Sequence, residues 1–169
     1  MQEKIIKVVA MGAGRHDAFV ADRTCTLMLE TERGNMIRLR NSFISTRPDN
    51  SLYYSLQGTK GCFQAAQGPT DFHKIHIKGL RRQNEWRNID DFSGLLDNKW
   101  KKLAVPQYDD ISGYDSGTPL MLEAFANSIL QGTKPPISAA DAMNWTVSGL
   151  LSEQSITQGS VAINVPVYQ

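Results

Sequence analysis

The last third of the chain most constrains what it can fold into. Thr118 is followed by Pro119, then by Leu122, Phe125 and Ile129 at helical spacing, reinforced by Met121 and Ala126. A threonine can cap a helix, and a proline in the first helical position forfeits no hydrogen bond. Gly132 ends this helix, and Pro135-Pro136 prevents its restart. Ser138, with Asp141 three residues on, resembles a capping box with Asp in place of the usual Glu. It opens a second helix that carries Met143, Val147, Leu150, Leu151 and Ile156 and ends at Gly159. Roughly twenty residues at about 1.5 Å each span about 30 Å, enough to cross a whole sheet. Its small residues Ser148, Gly149, Ser152 and Ser155 predict close packing.

Two such helices need an apolar surface, and the preceding sequence is made of strands. Ile5, Ile6, Val8 and Val9 mark a strand from Lys4 to Met11. Cys25, Leu27 and Leu29 alternate with Thr24, Thr26, Met28 and Glu30. After Gly34-Asn35, Ile37, Leu39 and Phe43 alternate with Arg38, Arg40 and Ser42. Period-two alternation on both sides of a short turn predicts an antiparallel hairpin with one apolar face. The polar face is either solvated or meets a partner. Ser51 to Gln57 reads as a third strand with Leu52, Tyr54 and Leu56 on one face, and Cys62 to Ala65 as a fourth. Between them, Gly58-Thr59-Lys60-Gly61 predicts a hairpin turn whose glycines supply positive φ. Phe72 to Lys78 alternates again. Arg81 to Asp91 is polar and irregular around Trp86, Phe92 to Leu103 holds a short helix, and Val161 to Val165 is a last strand placed near an edge by Pro166. The whole is an α+β fold: one domain over residues 1–169, an open, mainly antiparallel sheet with two long C-terminal helices on one face.

The residues name no chemistry on their own. A formal net charge of +1 carries no electrostatic footprint for nucleic acid or an anionic membrane surface. No run of eighteen apolar residues offers a span, and Glu3, Lys4 and Lys7 leave no room for a signal peptide, so a cytoplasmic location is expected. Cys25 and Cys62 could pair, but two cysteines are not a secreted framework and reduced thiols fit better. Gly12-Ala13-Gly14 after a strand, with Glu30 downstream, imitates a dinucleotide fingerprint. The third glycine is missing, because Asp17 stands there, and no βαβ series follows. The loop around Lys60 could cradle a phosphate, but no helix follows it, so a plain turn is preferred. His73 and His76 fall on opposite strand faces and His16 is isolated, so no metal site is expected.

Beyond this the sequence resembles a known family. Tyr54-Ser55-Leu56-Gln57-Gly58-Thr59-Lys60-Gly61 is similar to a strand-turn of the glucose–fructose oxidoreductase / inositol dehydrogenase / MocA (Gfo/Idh/MocA) family. So is the tail, with Gly132-Thr133-Lys134-Pro135-Pro136-Ile137, Asp141-Ala142, Trp145-Thr146, Leu151-Ser152-Glu153-Gln154-Ser155-Ile156 and Val165-Pro166. The nearest subgroup is that of the NAD-dependent α-N-acetylgalactosaminidases. The resemblance implies the C-terminal, substrate-side and oligomerisation domain of a two-domain protein, without the N-terminal Rossmann domain that would bind NAD or NADP. No cofactor is then expected on this chain alone. The expected partners are that missing domain, a second copy through the sheet, and a sugar-like small molecule in the full-length protein. In the glycosidase-like relatives a catalytic histidine lies just before the Leu120-Met121-Leu122 helix; here that position is Tyr114. With a free pKa of about 10, tyrosine is a poorer base at neutral pH but can donate a hydrogen bond or act as an acid. Tyr114 is the candidate catalytic residue, and Tyr114 with Asp115 the candidate substrate contacts; both can equally be ordinary loop residues. Alternatives are a stand-alone binding or assembly module that uses the open sheet, and an independent nucleotide-binding enzyme resting on Gly12-Ala13-Gly14 alone.

Overall fold

Alternation in the first half becomes antiparallel pairing. A computed structural model describes residues 3–13, 23–46, 53–68, 70–80, 85–95 and 117–168. The chain divides into two compact units, Met1–Ser45 with Ala124–Gln169, and Thr46–Glu123. The first holds β1 (Ile5–Ala13), β2 (Thr24–Thr31), β3 (Met36–Ser42) and β8 (Ile163–Asn164), in a four-stranded sheet ordered β3-β2-β1-β8. The second holds β4 (Ser55–Gly58), β5 (Gly61–Gln64), β6 (Lys74–Ile77) and β7 (Arg87–Asn88), in a sheet ordered β4-β5-β6-β7. A 3₁₀ segment, Ile89–Leu95, follows β7. The helices are α1 (Gly117–Leu130) and α2 (Ala139–Thr157). The α+β class, the antiparallel pairing and the two C-terminal helices agree with the sequence pattern. The described strands are shared between two ladders, not joined in one.

In the first unit the register puts Val8 opposite Leu29, Ala10 opposite Leu27, and these in turn opposite Ile37 and Leu39. Val8, Ala10, Leu27, Leu29 and Val165 form the buried core, and Val147, Leu151 and Ile156 of α2 pack on it. Each fully buried Val or Leu is worth about 1.5–3 kcal/mol, so this small cluster is the main adhesive between helix and sheet. The buried side of α2 also carries polar residues, Asn144, Ser148 and Ser155. Met143 and Leu150, expected in the packing stripe, point to solvent, with Leu150 70% exposed. Leu122, Phe125 and Ile129 do form one stripe on α1, and it too is exposed.

Hydrogen bonds explain the polar side of α2. β8 pairs with β1 only at Lys7 and Val8. Past that point the β1 edge has no strand beside it among the described residues. The Ala10 N–H donates instead to Ser155 Oγ at 3.0 Å, and the same hydroxyl donates to the Val161 carbonyl at 2.6 Å. Asn144 pairs in the same way with the tail: its Nδ2 donates to Tyr168 O, and its Oδ1 accepts from Tyr168 N. Small polar residues thus stand in for missing strand partners, a use beyond the close packing expected of Ser155.

Two turns refine the expectations. The β2–β3 connection is four residues, Glu32 to Asn35, with Gly34 at φ 77°. The β4–β5 turn is the predicted hairpin, with Gly58 opposite Gly61. Neither glycine has positive φ. Gly61 is needed for another reason: a Cβ there would lie 2.5 Å from the His76 carbonyl oxygen of the adjacent strand.

Candidate functional site

Tyr114 and Asp115 lie outside the described residues, and α1 begins at Gly117 just after them. The helix starts one residue before the expected Thr118 cap, with Pro119 still in its first turn. Its end follows the expected plan: Gly132 takes φ 61° and the Thr133 N–H returns to the Ser128 carbonyl. The segment to which the candidate residues attach is thus a regular helix of fourteen residues.

The first sheet has a second face, away from α2. Its rows are Lys7–Glu30–Met36, Val9–Met28–Arg38 and Met11–Thr26–Arg40. Lys7 Nζ bonds Glu30 at 2.7 Å, a surface pair worth well under about 1 kcal/mol. Arg38 and Arg40 have no carboxylate partner among the described residues. Met11 is 68% exposed and Met36 73%. The face combines flexible apolar side chains with two arginines that have no carboxylate partner among the described residues.

Three carboxylates are held below their ordinary range, each by hydrogen bonds that build structure. Glu3 accepts from Asn35 Nδ2 and Thr31 Oγ1, with Arg33 nearby, and so ties the residues just before β1 to the β2–β3 turn. Asp71 accepts from Lys74 Nζ and from the Gln67 and Phe72 amides, closing the loop before β6. Asp141 accepts from the Ser138 hydroxyl and amide while its own N–H bonds Ser138 Oγ, so the capping box is complete with Asp. None of the three is paired with a second acid or a base suited to proton transfer among the described residues.

The other sequence candidates resolve simply. Gly12 and Ala13 are strand residues opposite Cys25 and Thr24, so the first two residues of the apparent nucleotide fingerprint belong to a β-ladder, and Gly14 lies outside the described residues. Cys25 and Cys62 are free thiols. His73 stacks on Phe63 with ring centroids 6.0 Å apart and accepts from the Ala66 amide, whereas His76 sits across from Cys62. Among the described residues, no three His, Cys, Asp or Glu side chains converge as metal ligands. No helix among them is long and apolar enough to cross a membrane.

Comparison with known proteins agrees with the resemblance. Residues 13–169 match the model of the glycosyl hydrolase 109 C-terminal domain. A glycosyl hydrolase family 109 protein of Saccharopolyspora erythraea is 24% identical over 89% of this chain and 31% of its own length. An α-N-acetylgalactosaminidase of Tannerella forsythia is 25% identical over 83% of this chain and 29% of its own. The chain therefore spans about a third of the length of these curated relatives. Among solved structures, a levoglucosan dehydrogenase in complex with NADH and L-sorbose superposes with a TM-score of 0.69 at 13% identity, covering 97% of this chain and 45% of that one. An oxidoreductase from Agrobacterium radiobacter in complex with NAD+, L-tartaric acid and magnesium gives 0.67 at 12% identity, over 95% and 43%. At such identities the structures speak for the fold alone, and it is the fold of Gfo/Idh/MocA oxidoreductases. The match over residues 13–169 places this chain in the glycosyl hydrolase 109 C-terminal domain family, within the Gfo/Idh/MocA group.

Proposed function

We propose that the chain serves as the substrate-side and oligomerisation domain of an NAD(P)-dependent sugar oxidoreductase or related glycosidase, and that it is not catalytically complete alone. The observation that carries this reading is uncovered apolar surface on a chain one-third the length of its relatives. Phe125 and Ile129 of α1 and Leu150 of α2 are each more than half exposed. Faces of this kind mark surfaces that meet a partner. The remaining two-thirds of a relative's length would supply one, and a nucleotide-binding Rossmann domain is the partner proposed. The neighbours described with NADH and NAD+ support the choice of cofactor class.

In this reading the loop carrying Tyr114 and Asp115 forms one wall of the sugar site. Tyr114 donates a hydrogen bond to a substrate hydroxyl or acts as an acid, in the place of the relatives' histidine, and Asp115 accepts from a second hydroxyl. The test is a titration of this chain with NADH and NADPH. No tight binding is expected, and a low-micromolar affinity would overturn the domain reading.

The open face of the first sheet favours a second role beside the first. Its methionines, with Arg38 and Arg40, suit self-association, as they would in a stand-alone assembly module. Light scattering on the chain should detect a dimer or larger species; a clean monomer at high concentration would count against it.

A further inference from the structure

The second unit contains a surface that neither the loop at Tyr114 nor membership of the family explains. Strands β4, β5 and β6 turn one face toward an open cleft of about 410 Å³. Register builds that face. Gln57, Cys62 and His76 are direct cross-strand neighbours, and Ser55, Gln64 and Lys74 form the adjacent row. Leu56, Phe63 and Ile75 alternate to the opposite side. Trp86 arrives just before β7 and closes one flank, and Lys78 stands at the end of β6.

The chemistry of the lining is one-sided. Among the described residues, no acidic side chain lines the cleft. Lys78 has no carboxylate partner among them, and the side-chain amides of Gln57 and Gln64 make no hydrogen bond to another described residue. Lys74, in contrast, is already engaged by Asp71. His76 Nδ1 lies 3.3 Å from the Glu85 carbonyl oxygen. A carbonyl can only accept, so Nδ1 is the donor in this contact, and the tautomer with its hydrogen on Nδ1 leaves Nε2 as an acceptor. Trp86 is 45% exposed and presents an apolar ring beside these polar groups. Two amides that donate and accept, one ring acceptor, one cation and one aromatic surface together match a ligand with several hydroxyls, an apolar C–H face and a negative charge. The volume suits a single ring of monosaccharide size.

We propose that this cleft binds a small polyhydroxylated anion, a sugar acid or a sugar phosphate. Lys78 meets the charge, Gln57, Gln64 and His76 meet the hydroxyls, and Trp86 covers the C–H face. The proposal does not rest on Tyr114, Asp115 or a nucleotide domain.

The experiment is calorimetric titration of the intact chain with gluconate, glucose 6-phosphate, glucose and inorganic phosphate, with tryptophan fluorescence as a second readout. At least one sugar anion should bind with a Kd of about 0.1–1 mM, at least about tenfold tighter than glucose or inorganic phosphate. Lys78→Gln, at an exposed position, should weaken that binding about tenfold, and Gln57→Ala should weaken it severalfold, with unchanged circular dichroism. A gain by the carboxylate over the phosphate, or the reverse, identifies which anion the site prefers. Absence of binding by both sugar anions overturns the proposal. So does equal binding of inorganic phosphate, or binding that survives both substitutions.

Discussion

Replacing Ser155 by alanine tests whether a hydroxyl can do the work of a strand. Ser155 is fully buried, and its oxygen holds two elements at once: the Ala10 N–H on the β1 edge and the Val161 carbonyl beyond α2. Alanine keeps the helix and nearly the same volume, so packing changes little. The Ala10 amide is then left buried without an acceptor, which costs about 1–3 kcal/mol, and loss of the bond to Val161 adds about 1 kcal/mol. Water cannot substitute readily, because no exposed route reaches a residue with no accessible surface. The expected loss is about 3 kcal/mol, a large share of the roughly 5–15 kcal/mol that a typical domain possesses. With a urea slope of about 2 kcal/mol/M, the midpoint should fall by about 1.5 M. Amide exchange gives a local check: Ala10 should lose protection ahead of Leu27 and Leu29. A midpoint shift worth less than about 0.5 kcal/mol would refute the reasoning, since that is the range of an inconsequential surface change.

Two further outcomes follow from features of the same kind. Gly61→Ala should destabilise the second unit by about 1–3 kcal/mol, because its Cβ would press on the His76 backbone and force β5 and β6 apart. Gly58→Ala, whose Cβ would meet only an ordinary contact at 3.5 Å, is the control and should be nearly neutral by the same urea assay. Acid should weaken the fold through Glu3, Asp71 and Asp141, whose folded pKa values are depressed. Their stabilisation is present above the unfolded values, about 3.9 for Asp and 4.3 for Glu, and is lost as pH falls through the lower folded values. Urea midpoints should thus hold from pH 7 to about 5 and decline below about 4, and Ser138→Ala should reduce that decline. A flat profile down to about pH 3 would refute the assignment.

Much of this was legible because it is periodic. The β2–β3 hairpin declares both its faces by alternation, and the capping box at Ser138 and Asp141 declares the start of α2. The helix's inner face did not, because Met143 and Leu150 look like core residues by hydropathy while Asn144 and Ser155 look like surface. Their burial depends on β8 being only two residues long, which leaves β1 and the tail needing hydrogen bonds that apolar side chains cannot give. The role of Gly61 was hidden likewise: a glycine beside a turn suggests positive φ, whereas here it allows a neighbouring strand's carbonyl to come close. The strand β7 is too short to show any period. The polar cleft was invisible for a different reason. Gln57, Gln64, His76 and Lys78 are ordinary surface residues one by one, and only register across three strands gathers them. Tyr114 and Asp115 rest on the family resemblance, outside the described residues.

The exposed stripes of α1 and the outer side of α2 have a calorimetric consequence. Apolar surface that is already hydrated in the folded chain adds nothing to the heat capacity gained on melting. The chain should therefore unfold with less than the usual value of about 12–15 cal/mol/K per residue, and whatever comes to cover Leu122, Phe125, Ile129 and Leu150 should do so with a markedly negative heat-capacity change. In that sense part of the chain's hydrophobic driving force is not spent on folding and is available to any partner that covers those side chains.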